Sequence, residues 1–394
     1  VQGFIRGLRP TLGGRRIKIR DYQIDAISHA IATNRSLLIS PTASGKSLII
    51  YCLVRYYQMM ELKTLILVPT TSLVEQMYKD FEDYGWSSGT YCQKIYQGHD
   101  RKVVKDVVIS TWQSLHRMPR SYFRQFGAVF GDEAHLFKAK SLTGIMTKLD
   151  TCKYRFGLTG TLDGTQTHRL VLEGLFGKAK YVVTTKELID NKTLSNLKIN
   201  CIVLKYPDED RQIVKEFDYG TELEFIVTKK ERNIFLCNLV GHCNGNTLCL
   251  FQFVEKHGEP LYNIINDKYK DRKVFFVYGG VSTDTREEIR EIVENETDAI
   301  IVASYGTFST GINIRNIDNI VFASPSKSKI RVLQSLGRGL RVGDKSKSLK
   351  VFDISDDLIS AGGRINFTLR HFQQRLNIYD EQKFDYKIDK VKLK

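Results

Sequence analysis

The feature that most constrains this chain is an alternation of short, wholly apolar runs with longer segments of helical period. From Ser36 onward, LLIS, TLILVPT, VVIST, AVFGDE and RFGLTGT each end in a turn or a polar residue. Between two of them, TSLVEQMYKDFEDYG sets Leu73, Val74, Met77, Tyr78 and Phe81 at helical spacing, with Ser72 and Glu75 as a candidate capping box. A strand that is apolar on both sides needs cover on both faces. Alternation with helices therefore predicts an α/β fold of mostly parallel sheets, each packed between two layers of helix.

The pattern occurs twice. An acidic, less periodic stretch, KINCIVLKYPDEDRQ, separates the first set from TLCLFQFV, KVFFVYGG, AIIVAS, NIVFAS and LKVFDIS. A chain of 394 residues has room for two cores. We expect tandem domains over about 1–190 and 195–394, alike in architecture, since no sequence repeat relates them. From Arg364 the chain reads as a helix and then a polar, lysine-bearing tail.

Lysine and arginine outnumber aspartate and glutamate by 59 to 44, a formal charge of +15. Residues 1–20 hold six basic side chains and no acid, and residues 327–350 hold eight against one. Such a surplus points to a polyanionic partner, nucleic acid first, bound by phosphate neutralisation. The seven cysteines include no C-x-x-C pair, so neither a disulfide framework nor a zinc ribbon is indicated. Cys237, His242, Cys243 and Cys249 fit no usual ligand spacing and read as buried small hydrophobes. Residues 1–20 carry no apolar run long enough for a secretory signal or a membrane span, so an intracellular protein is expected. The first residue is Val1, which raises the expectation of a trimmed chain with an N-terminal part missing.

The candidate chemistry begins at ISPTASGKSLII (39–50), between an apolar strand and an apolar helix. It carries the Gly-Lys-Ser of a phosphate-binding loop, but Ser40 stands where G-x-x-x-x-G-K-[ST] has its first glycine. Backbone N–H groups and the dipole of the following helix do most of the work in such a loop. Pro41, Thr42, Ala43, Ser44, Gly45, Lys46 and Ser47 are thus candidate contacts to a nucleotide's phosphates, with Lys46 reaching the β/γ-phosphates and Ser47 ligating Mg²⁺. Ser40 followed by Pro41 is expected to make the turn differently without abolishing the chemistry.

In FGDEAH, Asp132 and Glu133 follow Ala128, Val129 and Phe130 and so stand at the carboxyl end of a strand, where open α/β sheets bind ligands. Asp132 is expected to hold Mg²⁺ and Glu133 to act as general base towards the attacking water. In QSLGRGLR (334–341), Arg338 and Arg341 lie three apart on one helical face of the second half. They could stabilise transition-state charge on a γ-phosphate if the halves close over it. Read alone, they are equally nucleic-acid contacts or a solvated face.

With these residues in view, the chain resembles a superfamily 2 helicase over nearly its whole length, with the motifs in the family's order. RDYQ resembles the adenine-reading motif, PTASGKS motif I, LVPTTSLVEQ motif Ia, STWQSL motif Ib, DEAH motif II and LTGTL motif III. FVYGG with Arg286 beyond it resembles the motif IV region, STGINI motif V and QSLGRGLR motif VI. The resemblance implies two RecA-like domains and an ATPase, with Arg20 and Gln23 reading adenine and Gly311 and Gln334 adding to the nucleotide site. It also implies that His135, Thr159 and Thr161 couple hydrolysis to movement. Thr70, Thr71, Thr111 and Thr310 are then candidate contacts to a nucleic-acid backbone, which carries no sequence information. Trp112, Tyr305 and Phe308 could stack on bases, but packing is the stronger reading.

Within the superfamily the chain is most similar to the phage helicases of recombination and repair. That implies ATP, Mg²⁺ and branched DNA (stalled forks, Holliday junctions, R-loops), recombination or replication proteins as partners, and a separate N-terminal substrate-binding domain. A phage origin would place it in the host cytoplasm. Two further departures are Thr159-Gly160-Thr161, where many relatives have Ser-Ala-Thr, and Asn313, where an aspartate is common. The alternatives are an RNA helicase, a nucleotide-switched clamp that does not translocate, and the motor subunit of a restriction or packaging complex. For the last, no nuclease constellation is present in the sequence.

Overall fold

The structure is a computed structural model and describes residues 1–137, 139–162, 165–310, 314, 316–326, 328, 348–360 and 362–393. The chain forms two compact units, Val1–Thr184 and Thr185–Lys394.

The first unit opens with a short helix, Gln2–Leu8, followed by a small antiparallel hairpin, β1 (Thr11–Leu12) and β2 (Arg15–Arg16). Its sheet contains β3 (Arg35–Ile39), β4 (Thr64–Val68), β5 (Cys92–Ile95), β6 (Val107–Thr111), β7 (Ala128–Asp132), β8 (Tyr154–Thr159) and β9 (Ala179–Tyr181). The spatial order is β5-β6-β4-β7-β8-β3-β9, and every neighbouring pair is parallel. Along β4, Leu65 and Leu67 enter one apolar cluster while Ile66 and Val68 enter the other. Successive strand residues point to opposite faces, so an unbroken apolar run is what a sheet with two covered faces requires.

The second unit's sheet contains β10 (Leu197–Lys205), β11 (Thr247–Phe251), β12 (Val274–Val277), β13 (Ile300–Ser304), β14 (Asn319–Phe322), β15 (Leu349–Asp357) and β16 (Tyr386–Lys392). They are ordered β12-β13-β11-β14-β15-β10-β16, again all parallel. Counted from the first strand of each sheet, both orders read 3-4-2-5-6-1-7. The two halves thus share one topology without a shared sequence.

Three local readings need correction. The lysine-bearing tail is β16, a strand paired with β10 along its length. Its side chains are mostly exposed and charged, which suits a sheet edge but hides the strand from a hydrophobicity pattern. The first part of the acidic linker, to Lys205, is β10; YPDEDRQ leaves it, and Asp208, Glu209 and Asp210 fill the first turn of the next helix, where its dipole favours them. The helix Thr71–Asp83 is capped by Thr70, whose hydroxyl accepts from Leu73 N–H at 3.3 Å, not by Ser72. Glu75 instead pairs with Lys94 at 2.9 Å and accepts from the Tyr96 hydroxyl at 2.5 Å.

All seven cysteines are free and buried, and burial pushes the Cys52 and Cys249 thiols up to about 12. No helix among the described residues is long and apolar enough to cross a membrane.

Candidate active site

The strand order brings the first unit's motif residues to one place. β3 and β7 both flank β8, with Ile39 opposite Thr159 and Asp132 opposite Leu158. The carboxyl ends of these three strands therefore lie side by side at one edge. From β3 comes the loop that runs into the helix Lys46–Met59; from β7, Asp132 and Glu133; from β8, Thr159 and the two residues after it.

Hydroxyls brace the loop from within. Ser40 is fully buried, and its N–H donates to the Thr159 carbonyl at 2.9 Å. Its hydroxyl donates to Ser44 Oγ at 2.6 Å, and Ser44 Oγ donates in turn to the Pro41 carbonyl at 2.6 Å. The serine that departs from the loop pattern thus makes its turn with side-chain hydrogen bonds. Ala43 takes a left-handed backbone, φ 65°. Gly45 has φ 83°, and a Cβ there would lie 2.4 Å from Gln23 Nε2, so conformation and space both demand glycine.

Gln23 is buried, which fixes both ends of its amide. Its Oε1 accepts from the Arg20 N–H at 2.9 Å and its Nε2 donates to the Ser44 carbonyl at 3.0 Å. The Tyr22 hydroxyl donates to the same carbonyl at 2.9 Å, and the exposed Arg20 guanidinium donates to Tyr22 at 2.8 Å. Tyr22 is a contributor that the sequence reading missed, although it lies inside RDYQ.

Lys46 Nζ donates to the Ser40 carbonyl at 3.4 Å, and a side-chain carbon on Gly160 would lie 3.7 Å from that ammonium. Ser47 Oγ and the Tyr84 hydroxyl are 2.8 Å apart. Asp132 is 8% exposed. Burial pushes its carboxyl up to about 6, Glu133 adds to the rise, and Lys46 opposes it. The Asp132 carboxylate and the Ser47 hydroxyl are oxygen donors of the kind Mg²⁺ takes, since it binds one or two protein oxygens together with substrate phosphates. The residues present therefore accommodate the expected ion.

Glu133 has φ 49°, a left-handed conformation, and its N–H donates to Asp132 Oδ1 at 3.0 Å. His135 Nδ1 lies 3.0 Å from Thr159 Oγ1 and 3.3 Å from Glu133 Oε2. Thr159 Oγ1 donates to the Thr161 carbonyl at 2.9 Å, so towards His135 it accepts, and the imidazole proton sits on Nδ1. Below this, His168 Nε2 donates to the His135 carbonyl at 2.8 Å. Sequence gave no sign of His168, because its role depends on a fold contact across 33 positions.

The candidate nucleic-acid contacts lie at other strand ends. Thr70 and Thr71 open the helix after β4, Thr71 exposed. Thr111 ends β6 with its hydroxyl 2.9 Å from Ser114 Oγ. Trp112 packs against the core, and Tyr305 and Phe308 are buried, Tyr305 donating to the Ser324 carbonyl at 3.0 Å. Thr310 closes the helix Tyr305–Thr310. Its side chain, with Gly311, Asn313, Gln334, Arg338 and Arg341, lies outside the described residues.

Comparison with known proteins agrees with this geometry. Residues 16–164 match the family described as type III restriction enzyme, res subunit, and residues 231–343 match the helicase conserved C-terminal domain. The ATP-dependent DNA helicase UvsW of Enterobacteria phage T4 is 37% identical over 401 residues, covering 97% of this chain and 79% of that protein. The chain belongs to the UvsW group of superfamily 2 ATP-dependent helicases. The DNA 3'-5' translocase XPB2 of Sulfurisphaera tokodaii is 26% identical over 372 residues, covering 85% of this helicase and 81% of XPB2. The fold of the type ISP restriction-modification enzyme LlaBIII bound to DNA matches with a TM-score of 0.69 at 16% identity, covering 96% of this helicase and 32% of that chain.

Proposed function

We propose that this helicase is a DNA motor that hydrolyses ATP with Mg²⁺ and uses the work to remodel branched DNA: stalled forks, four-way junctions and R-loops. The observation that carries the reading is the meeting of Lys46, Asp132, Glu133 and Thr159 at adjoining ends of β3, β7 and β8. The name of the T4 relative, an ATP-dependent DNA helicase, supports DNA as the substrate.

In this proposal the backbone from Pro41 to Gly45 cradles the phosphates and Lys46 pairs with the β/γ-phosphates. Ser47 and Asp132 would hold Mg²⁺, which when bound neutralises charge on the phosphate oxygens. Glu133 accepts the proton of the attacking water as its oxygen bonds to the γ-phosphorus and ADP departs. Arg20 and Gln23 form the adenine end. Gly311 and Gln334 add nucleotide contacts, and Arg338 and Arg341 stabilise the transferring phosphoryl group, on motif order alone. The chain from Glu133 through His135 to Thr159 and Thr161 is the proposed coupling route. Thr70, Thr71, Thr111 and Thr310 would contact the DNA backbone, so binding is sequence-independent and weakens steeply with salt.

The test is ATPase stimulation and strand separation across matched single-stranded, duplex, forked and four-way DNA and the same RNA forms. Strongest stimulation by forked and four-way DNA is expected. Equal or greater response to RNA would move the assignment to an RNA helicase. ATP-dependent binding without displacement of a triplex third strand would make it a clamp.

A further inference from the structure

Ser47 has a partner that no motif supplies. Tyr84 caps the C-terminus of the helix Thr71–Asp83, and its phenolic oxygen lies 2.8 Å from Ser47 Oγ. Tyr84 is only 9% exposed, with its ring 5.3 Å from that of Tyr51 on the helix that Lys46 and Ser47 begin. Its backbone is held as well. Tyr84 N–H donates to the Asp80 carbonyl at 2.9 Å, and its own carbonyl accepts from Thr11 N–H at 3.2 Å. The neighbouring Asp83 carbonyl accepts the Thr11 hydroxyl at 2.9 Å. The N-terminal hairpin, the helix end and the aromatic packing together fix where the phenol stands.

A serine oxygen carries one proton and two lone pairs. It can ligate a cation well only if the proton points away from it, to an acceptor. We propose that Tyr84 is a positioning residue whose phenolic oxygen accepts a hydrogen bond from the Ser47 hydroxyl and so leaves the Ser47 lone pairs free for Mg²⁺. The inference rests on the reading of Ser47 as a metal ligand. It adds a side chain outside the recognised motifs to the metal site, and through Thr11 it ties that site to the basic hairpin.

The experiment titrates Mg²⁺ into the full chain with a fluorescent ADP analogue, for the unaltered protein, Tyr84→Phe and Ser47→Ala. In Tyr84→Phe the Mg²⁺ concentration for half-saturation should rise about three- to tenfold, the worth of one hydrogen bond. Affinity for the analogue without Mg²⁺ should not change. A shift in Ser47→Ala with none in Tyr84→Phe overturns the role of Tyr84 and leaves the metal reading standing. No shift in either overturns the metal reading itself. If Tyr84→Phe weakens binding equally with and without Mg²⁺, the phenol merely props the loop and the proposal fails.

Discussion

The hydroxyl of Ser40 donates to that of Ser44 across the base of the phosphate loop, 2.6 Å apart. Because the Ser44 hydroxyl donates in turn to the Pro41 carbonyl, the pair acts as a brace where the loop pattern has a flexible glycine. Ser40→Ala should lower stability by about 1 kcal/mol and raise the KM for ATP about fivefold with kcat nearly kept. Thermal unfolding and steady-state ATPase assays read both. An unaltered KM would show that the brace does not shape the loop.

Lys46 is the loop's proposed charge on the phosphates. Lys46→Ala should abolish ATPase activity while the protein stays folded and still binds DNA. Arg341→Ala should lower hydrolysis with little loss of ATP binding, since its proposed partner is the transition state. Retained turnover in the first variant, or a large loss of ATP affinity in the second, would contradict these roles.

Asp132 gives the site a pH signature. Its carboxyl is lifted from 3.8 to about 6, chiefly by burial. Between those values the folded chain binds the proton more tightly than the unfolded chain, so stability falls as pH rises through the window. The cost is absent below the lower value and complete above the upper one. Asp132→Asn should therefore stabilise the protein by about 3 kcal/mol well above pH 6 and change little near pH 4. Thermal melts over this range without nucleotide would check it; a pH-independent difference would point to packing instead.

In the second unit, Arg375 and Asp353 form a buried ion pair, with Nη2 to Oδ1 at 2.7 Å and Nε to Oδ2 at 2.8 Å. Tyr379 donates to the same carboxylate at 2.8 Å, and Arg375 Nη1 donates to the Ser326 carbonyl at 2.8 Å. Arg375→Met leaves Asp353 buried without its counter-charge and should cost about 3–5 kcal/mol. Adding Asp353→Leu should recover most of the loss, measured by urea unfolding. No recovery would mean that packing around the guanidinium, not its charge, carries the effect.

The strands that were legible in the sequence were the buried ones. β4, TLILV, is apolar from Leu65 to Val68 because both of its faces are covered. β16 was not legible. Its three lysines and one aspartate carry no burial signal, and it is a strand because β10 offers it a free edge. The same holds for capping: Thr70 and Ser72 are chemically equivalent candidates, and only the backbone path selects Thr70.

At the site, sequence alone determined which groups are available: the Gly-Lys-Ser loop and the Asp-Glu pair at a strand end. Those are properties of short segments, and local chemistry constrains them. Tertiary structure decided which groups meet. The order β7-β8-β3 brings Asp132, Thr159 and the loop together from positions far apart in the chain. It also sets Tyr84 against Ser47 and His168 beneath His135, contacts that depend on how helices settle on a sheet and leave no trace in the spacing of residues.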